Sequence, residues 1–286
     1  MDFVKLTDAQ REAFDNDGFL VVRNVLDADA VARLIEAGDR LADAFLRKPT
    51  VSDRPEYNHL DLRPGLLREQ ALFDLVAHAP TVPLIVQLLT PNIHLHSTAL
   101  IYKRPENPDA PPFRRGWHRD IRMPKDLGHE YLPRVGVKAC YCLTDFPSAN
   151  SGMTLLARAS HKRTAPLVLP KGSVDPLDVE LCDLTLNAGD AFLFDNRLFH
   201  TATPNRSGRT SRVLMYGYAY RWMTPEVYLA PEPEQLAKAT PIARQLLGGY
   251  RDVDTPPWAL QEWAERHGAA PEPIPWTIDG PGEGDA

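Results

Sequence analysis

Two hydrophobic periodicities divide the chain. Residues 7–17 carry helical spacing, with Thr7 placed to cap the first turn and Gly18 to end the helix. The apolar run Phe19, Leu20, Val21, Val22 that follows predicts a buried strand. Asp27 then stands as the cap of a second helix, whose Val31, Leu34, Ile35, Leu41 and Phe45 recur at helical spacing. Pro49 to Gly65 is rich in Pro, Asp, Arg and Asn and reads as a long loop, after which helical periodicity returns from about Leu66 to Leu89.

From residue 93 the period shortens. IHLHSTALIY, VGVKACYCLT, MTLLA, LTLNAGDAFLF and RVLMYGYAYRW are β-rich runs separated by Pro, Gly, Asp and Asn clusters, a spacing that predicts an antiparallel sandwich or barrel. Beyond Trp222 prolines alternate with helical stretches near Glu232–Leu247 and Trp258–His267. PEPIPWTIDGPGEGDA, the last stretch, reads as a loose tail or a cover strapped over the barrel. The expected organisation is one domain over 1–286: an N-terminal helical and strand region 1–92, a β core about 93–222, and a C-terminal helical cover and tail 223–286.

Composition narrows the function classes. With 286 residues and 43% hydrophobic content the chain can bury a sizeable core. A net charge of -6 argues against nucleic acid as the main partner, because phosphate binding needs a concentrated basic surface. No long uncharged apolar run predicts a membrane span, and the acidic, polar start is no secretory signal, so the expected location is the cytoplasm. Cys140, Cys142 and Cys182 make an odd count without CxxC spacing, which fits neither a disulfide framework nor a thiolate zinc site; buried, inert cysteines are expected.

The densest chemical signal is WHRD at 117–120. On a strand His118 and Asp120 share a face, while Trp117 and Arg119 point the other way. An imidazole with a carboxylate suits Fe(II), and a second His from a distant strand would complete a facial triad with open positions. His200, which closes the run GDAFLFDNRLFH, is the best candidate for that role. HxD alone is weak, since with 9 His in the chain chance supplies roughly one such pair. A second pair, His59 and Asp61, lies in the proline-rich stretch read as loop and lacks the rigid scaffold of a metal site. His94 and His96 have no companion carboxylate and read as strand packing, and His129 and His161 as surface loop residues.

The ordered set of features around WHRD is more specific. NDGFLVVRNVLDADAVARLIEAG, ALIYKRP, GWHRD, CLTDFPSANSGMTLLARASHK and GDAFLFDNRLFHTATPNRSGRTSRVLMYGYAYRW resemble, in order and rough spacing, successive blocks of the phytanoyl-CoA dioxygenase family of Fe(II)/2-oxoglutarate oxygenases. The resemblance implies a mostly β fold with flanking helices, a double-stranded β-helix or cupin-like jelly roll. It departs from the family at Ser151, where a Gly is commoner, and at Ala157 and Ala159, which replace Pro-Gly. The stretch RPENPDAPPFRRGW before His118 is longer than usual and is placed to form a substrate lid.

The resemblance further implies iron held by His118, Asp120 and His200, with 2-oxoglutarate as co-substrate, O2 as oxidant and ascorbate as reductant in vitro. The distal carboxylate of 2-oxoglutarate needs a buried cation, and a guanidinium matches it with two parallel hydrogen bonds. The family's arginine falls close to Ser211, which Arg209 and Arg212 bracket; strand alternation favours Arg209. Lys103, Ala99 and Cys140 fall where the family makes further contacts with 2-oxoglutarate.

Hydroxylation of an unactivated C–H bond of a small molecule is the expected outcome, with desaturation, epimerisation and cyclisation open to the same centre. Relatives that halogenate lack the metal carboxylate, so Asp120 argues against that chemistry. A cupin enzyme independent of 2-oxoglutarate and a non-catalytic ligand-binding jelly roll are the remaining alternatives. The basic run Arg114, Arg115, Arg119, Arg122, Lys125, Arg134 and Lys138 would favour an anionic substrate, although a solvated charged face explains it equally well.

Overall fold

A computed structural model describes residues 3–47, 59–63, 65–107, 109, 115–121, 132–148, 150–226, 231–249 and 259–270. The C-terminal stretch 271–286 and His129 lie outside them. Helix α1, Asp8–Asp17, begins with a capping box between Thr7 and Gln10 and ends at Gly18, whose φ of 86° closes the helix in the left-handed conformation. Strand β1, Phe19–Val22, follows. The Asp27 carboxylate accepts from the Ala30 amide at 2.7 Å to start α2, Ala28–Leu46.

The stretch read as loop contains a strand. β2, His59–Leu62, alternates with Leu60 and Leu62 buried and His59 and Asp61 outside that core. HLDL has the period of a half-buried strand, but its four residues are too short a run to outweigh the proline-rich surroundings. The helical stretch 66–89 is broken into a turn of 3-10 helix at Leu66–Arg68, α3 at Gln70–Asp74, another such turn at Leu75–Ala77, and α4 at Val82–Leu88. Pro80 and Pro83 interrupt the amide ladder. The hydroxyls of Tyr216 and Tyr218 donate to the carbonyls of Leu72 (2.6 Å) and Val76 (3.0 Å), supplying hydrogen bonds at these helix breaks. Gln70–Leu88 is apolar enough to be compared with a membrane span, yet 61% of its most apolar window is buried inside the protein.

The β core comprises β3 (Ile93–Lys103), β4 (Gly136–Cys142), β5 (Thr154–Ala157), β6 (Leu181–Cys182), β7 (Ala191–Asp195), β8 (His200–Ala202) and β9 (Ser211–Tyr220). Among the described residues, six strands form one sheet in the order β1-β7-β4-β9-β3-β2, and β6-β5-β8 form a second. Neighbouring strands are antiparallel throughout. After the core come α5 (Pro233–Lys238), α6 (Pro241–Leu246) and α7 (Ala259–Arg266). Pro241 and the Thr240 cap split the C-terminal helical stretch in two.

Alternation sorts the large sheet's side chains into two cores. Leu100, Tyr102, Val137, Ala139, Tyr141, Leu214, Tyr216 and Tyr218 face the helices and pack with Leu34, Leu72, Ile85, Leu246 and Leu260. Cys140, Cys142, Phe192, Phe194 and Val213 face the small sheet and pack with Met153, Leu156, Cys182 and Leu198. All three cysteines are free and buried. Burial pushes their thiols up, which suits inert core residues.

Two turn positions give opposite expectations. Gly189 (φ 92°) approaches the Leu26 carbonyl so closely that an added Cβ would lie 2.4 Å from its oxygen. Ala159, at the site where the family resemblance expects Gly, holds φ 58°. Gly189→Ala should destabilise the fold by more than about 1 kcal/mol. Ala159→Gly should be neutral or stabilising by up to about 1 kcal/mol, as relief of left-handed strain competes with unfolded-chain entropy. Chemical denaturation of both variants checks this, and a loss of stability in Ala159→Gly would contradict it.

Candidate metal centre

The site forms where the chain leaves the large sheet for the small one. β7 ends at Asp195 in the first; after a four-residue turn, β8 begins at His200, which pairs with Leu156 in the second. Asp195 anchors that turn. Its buried carboxylate accepts from the Arg197 amide (2.9 Å), from the Arg197 guanidinium (2.9 and 2.6 Å) and from Arg134 (2.9 Å). Burial alone would raise this carboxyl, but the hydrogen bonds and charges of Arg197, with Arg134, outweigh it and hold it below its ordinary value.

His118 is not in a regular strand. It forms a single antiparallel bridge with His200, the two amides donating to each other's carbonyls at 3.0 and 2.9 Å. Asp120 then hangs from the same turn, its amide donating to the Asn196 carbonyl at 3.1 Å. Trp117 and Arg119 do face away: the indole donates to Val174, and the guanidinium donates to the Ser160 and Arg163 carbonyls while lying 4.1 Å over the Phe199 ring.

One ligand atom from each of His118, Asp120 and His200 lies within 4.8 Å of the others. Each histidine's Nδ1 faces a carbonyl, Gly116 for His118 (2.7 Å) and Leu198 for His200 (2.9 Å). A carbonyl only accepts, so Nδ1 carries the proton and Nε2 keeps its lone pair for a metal. Burial pushes His200 down to about 4, which keeps it neutral at pH 7. Burial would raise Asp120, but His200, Lys138 and His118 together hold it below its ordinary range. Its Oδ1 pairs with Lys138 Nζ at 2.9 Å, whereas Oδ2 is buried without a hydrogen-bond partner among the described residues. An orphaned anionic oxygen beside two imidazole lone pairs fits a divalent cation that takes mixed N and O donors.

A cavity of about 930 Å³ opens over the three residues, lined among others by Ile101, Thr154, Ala202 and Met215. The second HxD lines it too. His59 and Asp61 pair with Lys103 and Ile101 across β2 and β3, so they share the inner face, outside the three-residue cluster. Arg63 links Asp61 (3.1 Å) to Glu226 (3.3 Å) at the rim, and exposed Trp222 stands beside them. A bulge between Leu95 and Ser97 interrupts the register around His96, which lines the cavity, while His94 is buried. Neither Arg63 nor Glu226 carries a spacing signal that sequence reading could use. His161, read as a surface residue, is buried with Nε2 on the Asp15 carbonyl at 3.1 Å, because the short helix Ser160–Lys162 tucks it under α1.

The bracketing arginines lie apart from the cavity. Arg209 precedes β9, in the turn, where alternation does not operate; it is half-exposed and pairs with Asp145 at 3.2 Å. Arg212 points to the helix side, pairing with Asp39 at 3.2 Å and lying over Tyr102. Between them Ser211 is buried on the inner face, opposite Lys103. Ala99 and Cys140 flank Met215 on that face. Of the basic run, Arg115 pairs with Asp175, Arg134 with Asp15 and Asp195, and Lys138 with Asp120; Arg114, Arg122 and Lys125 lie outside the described residues.

The family sequence pattern described as Phytanoyl-CoA dioxygenase (PhyH) matches residues 14–213. The chain belongs to that family. Its members are Fe/2-oxoglutarate-dependent oxygenases, and this PhyH-family chain is an enzyme of that class. An uncharacterized protein of Mycobacterium bovis, Mb1539, is 22% identical over 253 residues, covering 87% of this chain and 89% of that protein. HygX from Streptomyces hygroscopicus, solved with nickel and 2-oxoglutarate, has a TM-score of 0.58 at 19% identity over 77% of this chain and 89% of its own. SnoN, a non-heme alpha ketoglutarate dependent epimerase from nogalamycin biosynthesis, has a TM-score of 0.57 at 17% identity over 74% and 80%. These structures share the jelly-roll fold.

Asp195→Ala should cost about 3–5 kcal/mol, because it strands the largely buried Arg197 guanidinium and leaves Arg134 with Asp15 alone. Asp195's folded pKa lies below the ordinary 3.8, so its contribution is complete above that pH and lost as pH falls through the folded value. The gap between wild type and variant should therefore narrow in acid, as urea midpoints across pH would record. A gap that widens in acid would contradict this assignment.

Proposed function

We propose that this PhyH-family enzyme hydroxylates an unactivated C–H bond of a small organic molecule, with iron held by His118, Asp120 and His200 and with release of succinate and CO2. The observation that carries the reading is the orphaned Asp120 Oδ2 beside two histidines whose Nδ1 protons are fixed by carbonyls, at the floor of an open cavity. Bound Fe(II) with 2-oxoglutarate and O2 would supply the oxidising power for C–H cleavage.

The protein's own contribution is positional. The paired backbone bonds between His118 and His200 fix the spacing of the two imidazoles, and their Nδ1 contacts fix ring orientation. Lys138 holds one oxygen of Asp120 and leaves the other directed at the cation site. Three protein ligands leave the remaining positions open to co-substrate and oxygen. The cavity's volume falls in the range of small-molecule sites, about 300–1,000 Å³. HygX has been crystallised with hygromycin B and SnoN with nogalamycin RO, which supports a small-molecule substrate here.

Epimerisation is the second reading, favoured by the likeness to SnoN. Product mass separates the two, since hydroxylation adds one oxygen and epimerisation leaves the mass unchanged. We expect the oxygen to be added, and no chlorinated product in chloride buffer, because Asp120 occupies the place a halide would take.

Under anaerobic conditions the protein should bind one Fe(II) per chain and develop a weak visible charge-transfer band only when 2-oxoglutarate is added. His200→Ala should abolish the band and His59→Ala should retain it. A band that survives His200→Ala would mean that His200 is not the third ligand, and one that disappears in His59→Ala would move the metal to the β2 pair.

A further inference from the structure

We propose that the substrate of this site is an organic amine, and that Asp61 and Glu226, beside Trp222, receive its ammonium group at the cavity mouth. The inference rests on the iron reading above and concerns which molecule reaches that centre. Of the described cations lining the cavity, Lys138 is engaged by Asp120, and Arg119 turns away to the Ser160 and Arg163 carbonyls. Arg63 remains, and it lies between two carboxylates, Asp61 at 3.1 Å and Glu226 at 3.3 Å. One guanidinium against two carboxylates leaves this cluster with one negative charge. Burial lowers His59 and His96, which also line the cavity, below their ordinary value, so they add no positive charge at pH 7.

The fold fixes both carboxylates at the mouth. Asp61 stands on β2 opposite Ile101 of β3, and Glu226 is tied to β3 through its amide, which donates to the His96 carbonyl at 2.8 Å. Their side chains are 34% and 49% exposed, open to an arriving ligand. Ile101, Val135 and Met215 give the cavity apolar walls, which concentrate the field of that charge on whatever enters. An anion approaching Arg63 meets the two carboxylates around it, whereas an ammonium group meets two acceptors.

Trp222 supplies a second, independent contact. Its indole stacks on Tyr220 with ring centroids 5.7 Å apart and is 71% exposed, so its other face is open. An open indole face attracts a cation through the ring quadrupole and covers the hydrocarbon beside it. Carboxylates alone would serve any cation, but among the described residues the group placed to hold a metal ion is the triad, not this cluster. Acceptors beside an aromatic face and apolar walls select an ammonium group carried on a hydrocarbon frame.

The test uses three probes on one ring, cyclohexylmethylamine, cyclohexylmethanol and cyclohexanecarboxylate. Each is titrated by ligand-observed NMR into the anaerobic protein with Fe(II) and 2-oxoglutarate, after the charge-transfer band has been recorded. The amine should bind about tenfold more tightly than the alcohol, the effect of one or two partly desolvated charge contacts, and the carboxylate most weakly. Asp61→Asn and Glu226→Gln should each remove most of that preference while the alcohol binds as before. The double variant leaves Arg63 unopposed and should reverse the order in favour of the carboxylate, which loss of a merely structural contact would not do. Trp222→Ala should weaken amine and alcohol together, and Trp222→Phe should restore part of the loss. A wild type without the band overturns the iron reading whatever the probes do. With the band present, the amine assignment alone is overturned if no probe binds, if alcohol or carboxylate binds as well as the amine, or if the preference survives in the double variant.

Discussion

Two backbone hydrogen bonds, His118 amide to His200 carbonyl and the reverse, are the constraint on which the rest of the site depends. They belong to neither sheet's ladder, yet they hold residues 82 positions apart at the spacing of an antiparallel pair. Side chains of such a pair stand on one face, so two imidazoles meet with ring centroids 4.3 Å apart. Asp120, two residues on and tied to Asn196, completes the set. Side chains positioned by backbone bonds in this way would be preorganised for a cation.

The bridge can form only because the chain crosses between sheets at that point. Asp195 ends a strand of the large sheet, and the turn it organises delivers His200 to the first position of β8 in the small one. One carboxylate thus serves the fold and the site together, joining Arg134 and Arg197 on one side and setting the loop that carries Asn196 on the other. The cavity lies on the inner face of the helix-backed sheet, where Thr154, His200 and Ala202 of the short sheet also line it. The tyrosine-rich layer on the far side belongs to the larger of the two buried clusters, and the smaller one lies on the face that carries the cavity.

Much of this was legible in the chain. Long alternating runs such as 93–102 and 212–222 fixed the β core, and capping residues Thr7 and Asp27 marked helix starts that the structure reproduces. That His118, Asp120 and His200 would lie together was readable because residue type, spacing and flanking motifs agreed, and the structure brings them within 4.8 Å of one another. What escaped depended on context. β2 was hidden by its prolines, the continuous periodicity over 66–89 did not show that tyrosine hydroxyls would meet carbonyls at its breaks, and a bulge near His96 altered its register. Arg209 illustrates the limit of alternation, which holds inside a strand and not in the turn two residues before it: β9 begins at Ser211. Arg63 and Glu226, 163 residues apart, meet at the cavity rim only through the fold.

The proposed function requires iron held by His118, Asp120 and His200. Diffraction at the iron absorption edge, from crystals grown with Fe(II) in the absence of oxygen, tests it most directly. One anomalous peak per chain is expected, within bonding distance of the Nε2 atoms of both histidines and of Asp120 Oδ2. A peak between His59 and Asp61, or none at the triad, would contradict it.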